Sequence, residues 1–166
     1  MMRTSFLALS FALSTGFAAP AQELNFSPAL TKLCFSEATD KQQCIGLSAE
    51  ACMEVSEGGF STVGMGGCLE QELNWWDAML NRSYQHLMTQ EKADDAEAKS
   101  DGFTAPSKTD ALKAMQRAWI PHRDATCDYE MSQWGGGTGG GPAILACLMR
   151  LTGEQTIYLN SMLRDD

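Results

Sequence analysis

This 166-residue chain has no apolar run long enough to span a bilayer as a stable helix, not even Phe6 to Phe17, which argues against membrane insertion. Its cysteines include no C-x-x-C pair of the kind zinc sites favour, and no C-x-x-C-H haem motif. Gly-x-Ser-x-Gly is missing, so the serine-hydrolase elbow is excluded. Thr138, the one interruption in the glycine run 135–141, lacks the strand-to-helix setting of a phosphate loop. Histidine is reduced to His86 and His122, on different predicted helices. With only Met88 and Met115 near them, they do not make a copper or zinc site, and no cofactor is expected. Basic residues are few as well: 12 Lys and Arg stand against 21 Asp and Glu, a net charge of −9. That balance argues against nucleic acid or an anionic membrane as partner and suits a basic protein.

What is present begins with an export signal. Met1-Met2-Arg3 is a short basic lead, Phe6 to Phe17 is apolar, and Ala19-Pro20-Ala21 offers small residues for cleavage. Cleavage after Ala21 makes residues 1–21 a removed signal peptide and 22–166 a single domain starting at Gln22. Loss of Arg3 makes the mature chain one unit more acidic. All six cysteines lie after this point, an even number that fits disulfides in an oxidising compartment, the periplasm or beyond.

Along the mature chain a short helical region surrounds Cys34, and Asp40 to Met53 reads as one helix with Asp40 as N-cap. The glycine-rich stretch from Glu57 to Gly67 reads as a loop, since repeated glycine destabilises a helix. Residues 22–67 thus form a cysteine-rich cap. Cys68 to about Glu91 is a long helix, with Leu69, Leu73, Trp76, Leu80, Tyr84 and Leu87 on one stripe. Lys92 to Pro106 reads as a linker or frayed helix end. A second long helix should start near Ser107, with Ser107 and Asp110 as a capping-box variant, and bend at Pro121 before ending near Trp134. After the glycine run, Pro142 opens a third helix reaching about Met162. The fold expected is all-α: an antiparallel bundle of three main helices, disulfide-stapled.

Cys127 and Cys147 lie at matching depths in the last helical hairpin, each roughly 8–10 Å from its turn at 1.5 Å per residue, so they should pair. Closing that loop contributes ~3 kcal/mol and offsets the entropy of the glycine run. For the other four, Cys52–Cys68 with Cys34–Cys44 is one solution, and Cys34–Cys52 with Cys44–Cys68 is the other.

Gln116, Trp119, Arg123 and Cys127 follow steps of three, four and four, which puts them on one helix face. Arg123, Asp124, Gln116, Asn81 and Tyr84 can be read as a catalytic cluster or as a polar network that specifies helix docking. The second reading is stronger, because no nucleophile–base pair stands out and arginine is a poor general base. The protein is therefore read as a non-enzyme. Trp75 and Trp76 are adjacent and cannot both face one core. Trp75, together with Trp134 and Phe60 at the glycine-rich loops, is a candidate partner contact.

Order and spacing carry a resemblance. Cys68, Asp77-x-x-Leu80-Asn81-x-x-Tyr84, Gln116-x-x-Trp119-x-x-x-Arg123-Asp124-x-x-Cys127 and Cys147-x-x-x-Leu151-Thr152 together resemble the LprI-type lysozyme-inhibitor family, in its small N-terminal domain. The similar stretch runs from about Cys52 to Leu163. Where that family carries an arginine three residues after the Leu-Thr pair, this chain has Gln155, and Pro121 interrupts the Trp-to-Arg stretch. The resemblance implies an exported protein that binds and inhibits lysozyme and so protects the cell wall. The alternative is a periplasmic adaptor or envelope scaffold of the same fold without inhibition.

Intact mass of the exported protein should match a chain starting at Gln22 and rise by six hydrogens on reduction of the six cysteines. A free thiol at Cys127 or Cys147 in the oxidised protein would contradict the hairpin pairing.

Overall fold

Leu69, Trp76, Leu80 and Leu87 recur at helical spacing, and all four are buried along one long helix, α3 (Thr62–Ser100), in the computed structural model. The structure describes residues 23–164, so the signal segment read at 1–21 lies outside the described residues. Before α3 come α1 (Ala29–Glu37), a single 3-10 turn (Lys41–Cys44) and α2 (Leu47–Val55); after it come α4 (Lys108–Ser132) and α5 (Gly140–Ser161). The described residues contain no strand, and the fold is an all-α bundle with a disulfide-linked cap.

α5 packs against both α3 and α4. Leu145 meets Gly66, the Thr156 hydroxyl reaches the Trp76 carbonyl at 3.3 Å, and Gln90 bonds to the backbone of Arg164. Contacts that rise together along both helices make α3 and α5 parallel, with α4 running back between them in sequence. One core cluster joins Phe35, Leu69, Trp76 and Met149; a second, further along the bundle, joins Leu80, Leu87, Leu112 and Leu159.

Glu72 connects the cap to this bundle. It falls on the apolar side of α3, three residues after Leu69 and four before Trp76, and is fully buried. Its Oε1 accepts from the Thr31 hydroxyl (3.0 Å), the Gly46 amide (2.7 Å) and the Trp76 indole Nε1 (3.0 Å). Its Oε2 accepts from the Ala49 amide at 2.6 Å. A buried polar group of this size is tolerable only when its hydrogen-bonding capacity is met, as here.

Neither α1 nor α2 carries a side-chain cap on its own N-cap residue. They cap each other. The Thr31 amide donates to the Ser48 hydroxyl (3.0 Å), and the Ser48 amide donates to the Thr31 hydroxyl oxygen (3.1 Å). With Glu72 serving Gly46 and Ala49, three N–H groups at the start of α2 find acceptors on other elements. The positive end of the helix dipole lies at the same place, where an acidic side chain is most favoured.

This arrangement explains why Asp40 to Met53 is not one helix. Asp40 caps only the 3-10 turn, accepting from the Gln42 amide at 3.0 Å. The chain then breaks at Gly46, whose φ of +99° lies in the left-handed region where a side chain is strained. The break turns the Gly46 and Ala49 amides toward Glu72.

The glycine-rich loop ends at Ser61 rather than at Gly67. Ser61 caps α3, its hydroxyl accepting from the Gly64 amide at 3.0 Å, so Gly64, Gly66 and Gly67 are helical. A Cβ at Gly64 would collide with the carbonyl oxygen of Gly58. Glycine is used there for close approach, and the Cys52–Cys68 disulfide holds the two segments together. Packing and the crosslink override a helix-propensity cost of about 1 kcal/mol per glycine.

At its other end α3 also outruns its expected limit. Lys92 to Ser100 is helical, not a linker, because its carboxylates organise the start of α4. Asp94 binds Lys108 at 2.6 Å, and Asp95 accepts from the Ser107 hydroxyl (2.7 Å) and the amides of Lys108 (2.9 Å) and Thr109 (3.1 Å). Ser107 caps α4 through the Asp110 amide at 3.1 Å. α4 continues past Pro121, which is exposed, so water can serve the carbonyl that proline leaves unbonded. α5 begins at Gly140, two residues before Pro142.

Glu72→Ala strands four donors in the interior and is expected to cost on the order of 3 kcal/mol or more, read by urea denaturation of the oxidised protein. Glu72→Gln, which retains one acceptor oxygen, should fall between. An alanine variant within about 0.5 kcal/mol of the parent would mean that the cap and bundle are held together by something else.

Candidate functional site

The two glycine-rich loops that expose aromatic side chains lie at one end of the bundle; Phe103, also exposed, lies in the α3–α4 connection at the other. Because α3 and α5 are parallel and α4 runs opposite, the α2–α3 connection (56–61) and the α4–α5 connection (133–139) emerge on the same side. Phe60 stands 64% exposed in the first and Trp134 53% exposed in the second. Val55 and Val63 flank Phe60, and Tyr129 lies on the last turns of α4; all three are exposed.

Both loops are held by more than their glycines. In the first, the Gly59 amide donates to the Ser56 carbonyl and the Ser61 amide to the Gly58 carbonyl, at 3.0 and 2.8 Å. The Asn25 amide reaches the Ser56 hydroxyl at 2.9 Å, so the N-terminal lead-in is tied to this loop. In the second, Gly135 and Gly136 take positive φ, and the Gly137 amide donates to the Trp134 carbonyl at 2.8 Å. A Cβ at Gly139 would run into the Trp134 six-membered ring, so one side of the indole lies on the loop backbone while the rest faces water. Trp134 is thereby positioned rather than free.

Cys52 pairs with Cys68 behind the first loop and Cys127 with Cys147 behind the second, and all four are buried. Cys34 pairs with Cys44, which is the local solution of the two left open by the sequence. No free cysteine remains among the described residues.

The five residues read as one polar network separate into four local settings. Arg123 Nε and Nη2 donate to Asp124 Oδ1 at 2.9 and 2.7 Å, and its guanidinium lies 5.0 Å from the Trp119 ring centre. Its third contact, Nη1 to the buried Thr152 hydroxyl, is long at 3.5 Å. Gln116 is elsewhere, accepting from Gln155 Nε2 at 2.6 Å. Asn81 is exposed and donates to Asp77 on its own helix at 3.0 Å, whereas Tyr84 packs on the second core cluster. Gln155 therefore occupies the place where an arginine was expected and joins α5 to α4 by an amide pair. Trp75 is half-buried, its ring edge-on to Phe35 at 6.3 Å and to Trp76 at 4.7 Å, and so it lies under α1 rather than at the loop end.

At the opposite end, a groove of about 410 Å³ runs between Leu87, Leu112, Met115 and Leu159. Its polar rim is an ion-pair network. Asp94 binds both Lys108 (2.6 Å) and Arg164 (3.0 Å), and Glu91 lies 3.6 Å from Arg164. The hydrogen bond from Lys108 holds the Asp94 carboxyl below its ordinary range and raises the Lys108 ammonium in return. Hydrogen bonds from Ser107 and the Lys108 amide bring Asp95 down to about 2. No group of three or more His, Cys, Asp or Glu able to hold a metal occurs among the described residues. What the molecule offers chemically is a rigid, aromatic-tipped surface.

The family model described as Lysozyme inhibitor LprI matches residues 52–159. An uncharacterised 17.7 kDa protein encoded in the puhA 5' region of Rhodobacter capsulatus is 28% identical over 159 residues, covering 93% of this chain and 95% of its own. An uncharacterised protein of Rhizobium meliloti (strain 1021) is 30% identical over 96 residues, covering 58% of this chain and 69% of its own. No solved structure matches.

The Asp95 cap generates a pH test. Its carboxyl is held at about 2 in the folded state, below the ordinary carboxylate range, so its stabilisation is complete above about 4 and is lost as pH falls through about 2. Melting temperatures of the parent and Asp95→Asn should differ at pH 5 and converge toward pH 2. A constant difference across that range would contradict the role given to Asp95.

Proposed function

We propose that this chain, which belongs to the LprI lysozyme-inhibitor family, is an exported, non-enzymatic protein that inhibits lysozyme through the loop end of its bundle. The observation that carries the reading is the placement of two disulfide-backed loops at one end of the bundle, one exposing Phe60 and the other Trp134. Much of the apolar stripe on α3, α4 and α5 is consumed by helix–helix packing. Large apolar side chains are also exposed elsewhere, Phe103 and Tyr158 among them, so what distinguishes the loop end is that its aromatics stand on disulfide-backed loops.

Three physical properties favour such a contact. A pre-organised loop loses little conformational entropy on binding. Tryptophan and phenylalanine supply large buried area at low rotamer cost, and a tryptophan can enter a sugar-binding cleft by stacking. A net charge of −9 attracts a basic enzyme over the distance set by ionic screening. No helix among the described residues is long and apolar enough to cross a membrane, which is compatible with periplasmic residence. In this reading Arg123 and its neighbours are structural.

Trp134→Ala and Phe60→Ala, checked for unchanged melting, should weaken inhibition of a basic lysozyme in a muramidase assay, at least one of them by about tenfold. Raising ionic strength should slow association of the parent. An oxidised, folded parent that leaves muramidase activity untouched would favour the envelope-scaffold alternative. Inhibition that survives both substitutions would move the contact to the acidic helix faces.

A further inference from the structure

Cations are scarce in this chain, and five of them are held by carboxylates: Lys108, Lys113, Arg123, Arg150 and Arg164. Lys41, Lys92, Lys99 and Arg117 make no ion pair among the described residues, and Lys32 and Arg82 belong with them; what sets these last two apart is that they share a cavity. Neither has an ion pair among the described residues, on a protein with 21 acidic residues to choose from. The one side-chain bond of Arg82 is from Nη2 to the thioether of Met79, a weak acceptor, at 2.6 Å.

These two cations rim the same cavity, about 330 Å³ in volume, on the α1 side of α3. Phe35, Trp75 and Met79 supply its apolar wall, and Ser36 is the remaining lining residue. No carboxylate lines it. The Trp75 indole N–H has no acceptor among the described residues, in contrast with Trp76, whose Nε1 is bonded to Glu72. A third cation, Lys41, lies 4.8 Å from the Phe35 ring centre but already donates to the Phe35 carbonyl at 2.6 Å. The wall is stiff, because Phe35 packs edge-on against both Trp75 and Trp76 and the Cys34–Cys44 disulfide adjoins it.

Each part of this lining specifies a property of the occupant. Two unpaired cations and a free N–H want an anion that accepts several hydrogen bonds, and a guanidinium fork matches a carboxylate in two-point geometry. Aromatic rings and a thioether want a flat or ring-shaped body. The volume is at the small end of ligand pockets and accommodates one ring. We infer that the cavity between Lys32, Trp75 and Arg82 binds a carboxylate carried on a single ring, either a sugar acid or an aromatic acid. The site is separate from the loop end and does not depend on lysozyme inhibition.

The test follows the Trp75 indole N–H resonance, assigned with Trp75→Phe, in the oxidised full-length protein. Glucuronate and benzoate are titrated beside neutral glucose and benzyl alcohol, and beside inorganic phosphate. At least one of the two acids should shift that resonance saturably, its neutral counterpart should not, and which acid does so identifies the body. Lys32→Gln combined with Arg82→Gln should weaken that binding by about tenfold or more. Melting should be unchanged, since neither side chain holds an ion pair in the fold. The proposal is overturned if neither acid saturates, if the neutral compounds bind equally, if phosphate binds as tightly as the acids, or if the double variant binds like the parent.

Discussion

Four hydrogen bonds onto the buried carboxyl of Glu72 fix how the N-terminal cap sits on the bundle. The constraint is severe because the donors come from three different elements: Thr31 on α1, Gly46 and Ala49 at the start of α2, and Trp76 one turn further along α3. If any of these elements shifts, a buried acceptor or a buried N–H is left unmet, at a cost of roughly 1–3 kcal/mol each. Several other features follow from it. The left-handed Gly46 is needed to aim two amides at one carboxyl, and α1 and α2 can dispense with their own caps because they exchange hydroxyls between Thr31 and Ser48. Phe35 is carried with α1 onto the Trp75–Trp76 pair, which completes the first core cluster.

The same geometry connects fold to function. With the cap seated, the chain enters α3 beside the start of α5, and parallel α3 and α5 bring two loops distant in sequence to one end. Disulfides then reduce the freedom of each loop from behind: Cys52–Cys68 for Phe60, Cys127–Cys147 for Trp134. A surface of that kind suits recognition of a partner, since little ordering remains to be done at the moment of contact. The far end of the bundle is finished differently, by ion pairs of Asp94 and the capping of α4 by Asp95, and is correspondingly sensitive to acid.

How much of this could be read from the sequence depended on whether the signal was local. The stripe from Leu69 to Leu87 gives α3, and the Ser107–Asp110 pair gives the start of α4, because both patterns are complete within a few residues. Asp40 is legible as a cap for the same reason. The glycines at 64, 66 and 67 mislead, since their setting is decided by neighbours distant from their own turn of helix, the Gly58 backbone for Gly64 and the Leu145 and Leu24 side chains for Gly66 and Gly67. Glu72 left a trace, as a carboxylic acid on an apolar stripe between Leu69 and Trp76, but its partners lie 23 to 41 residues away in three of its four bonds. The polar residues around Arg123 were legible as a helix face but not as separate pairs. Asn81 turns to Asp77 and Gln116 to Gln155, choices made by helix rotation that spacing alone does not define. The loop end was legible as two exposed aromatics, while their shared location required the direction of α5.

Glu72 makes the cap and bundle one cooperative unit. Native-state hydrogen exchange on the oxidised protein tests this most directly. The amides of Gly46, Ser48 and Ala49 should open with the same free energy, and the same denaturant dependence, as core amides of α3 around Trp76 and Leu80. If the three cap amides instead exchange through a lower-energy opening while α3 and α5 stay protected, the cap is an independent flap and the account is wrong.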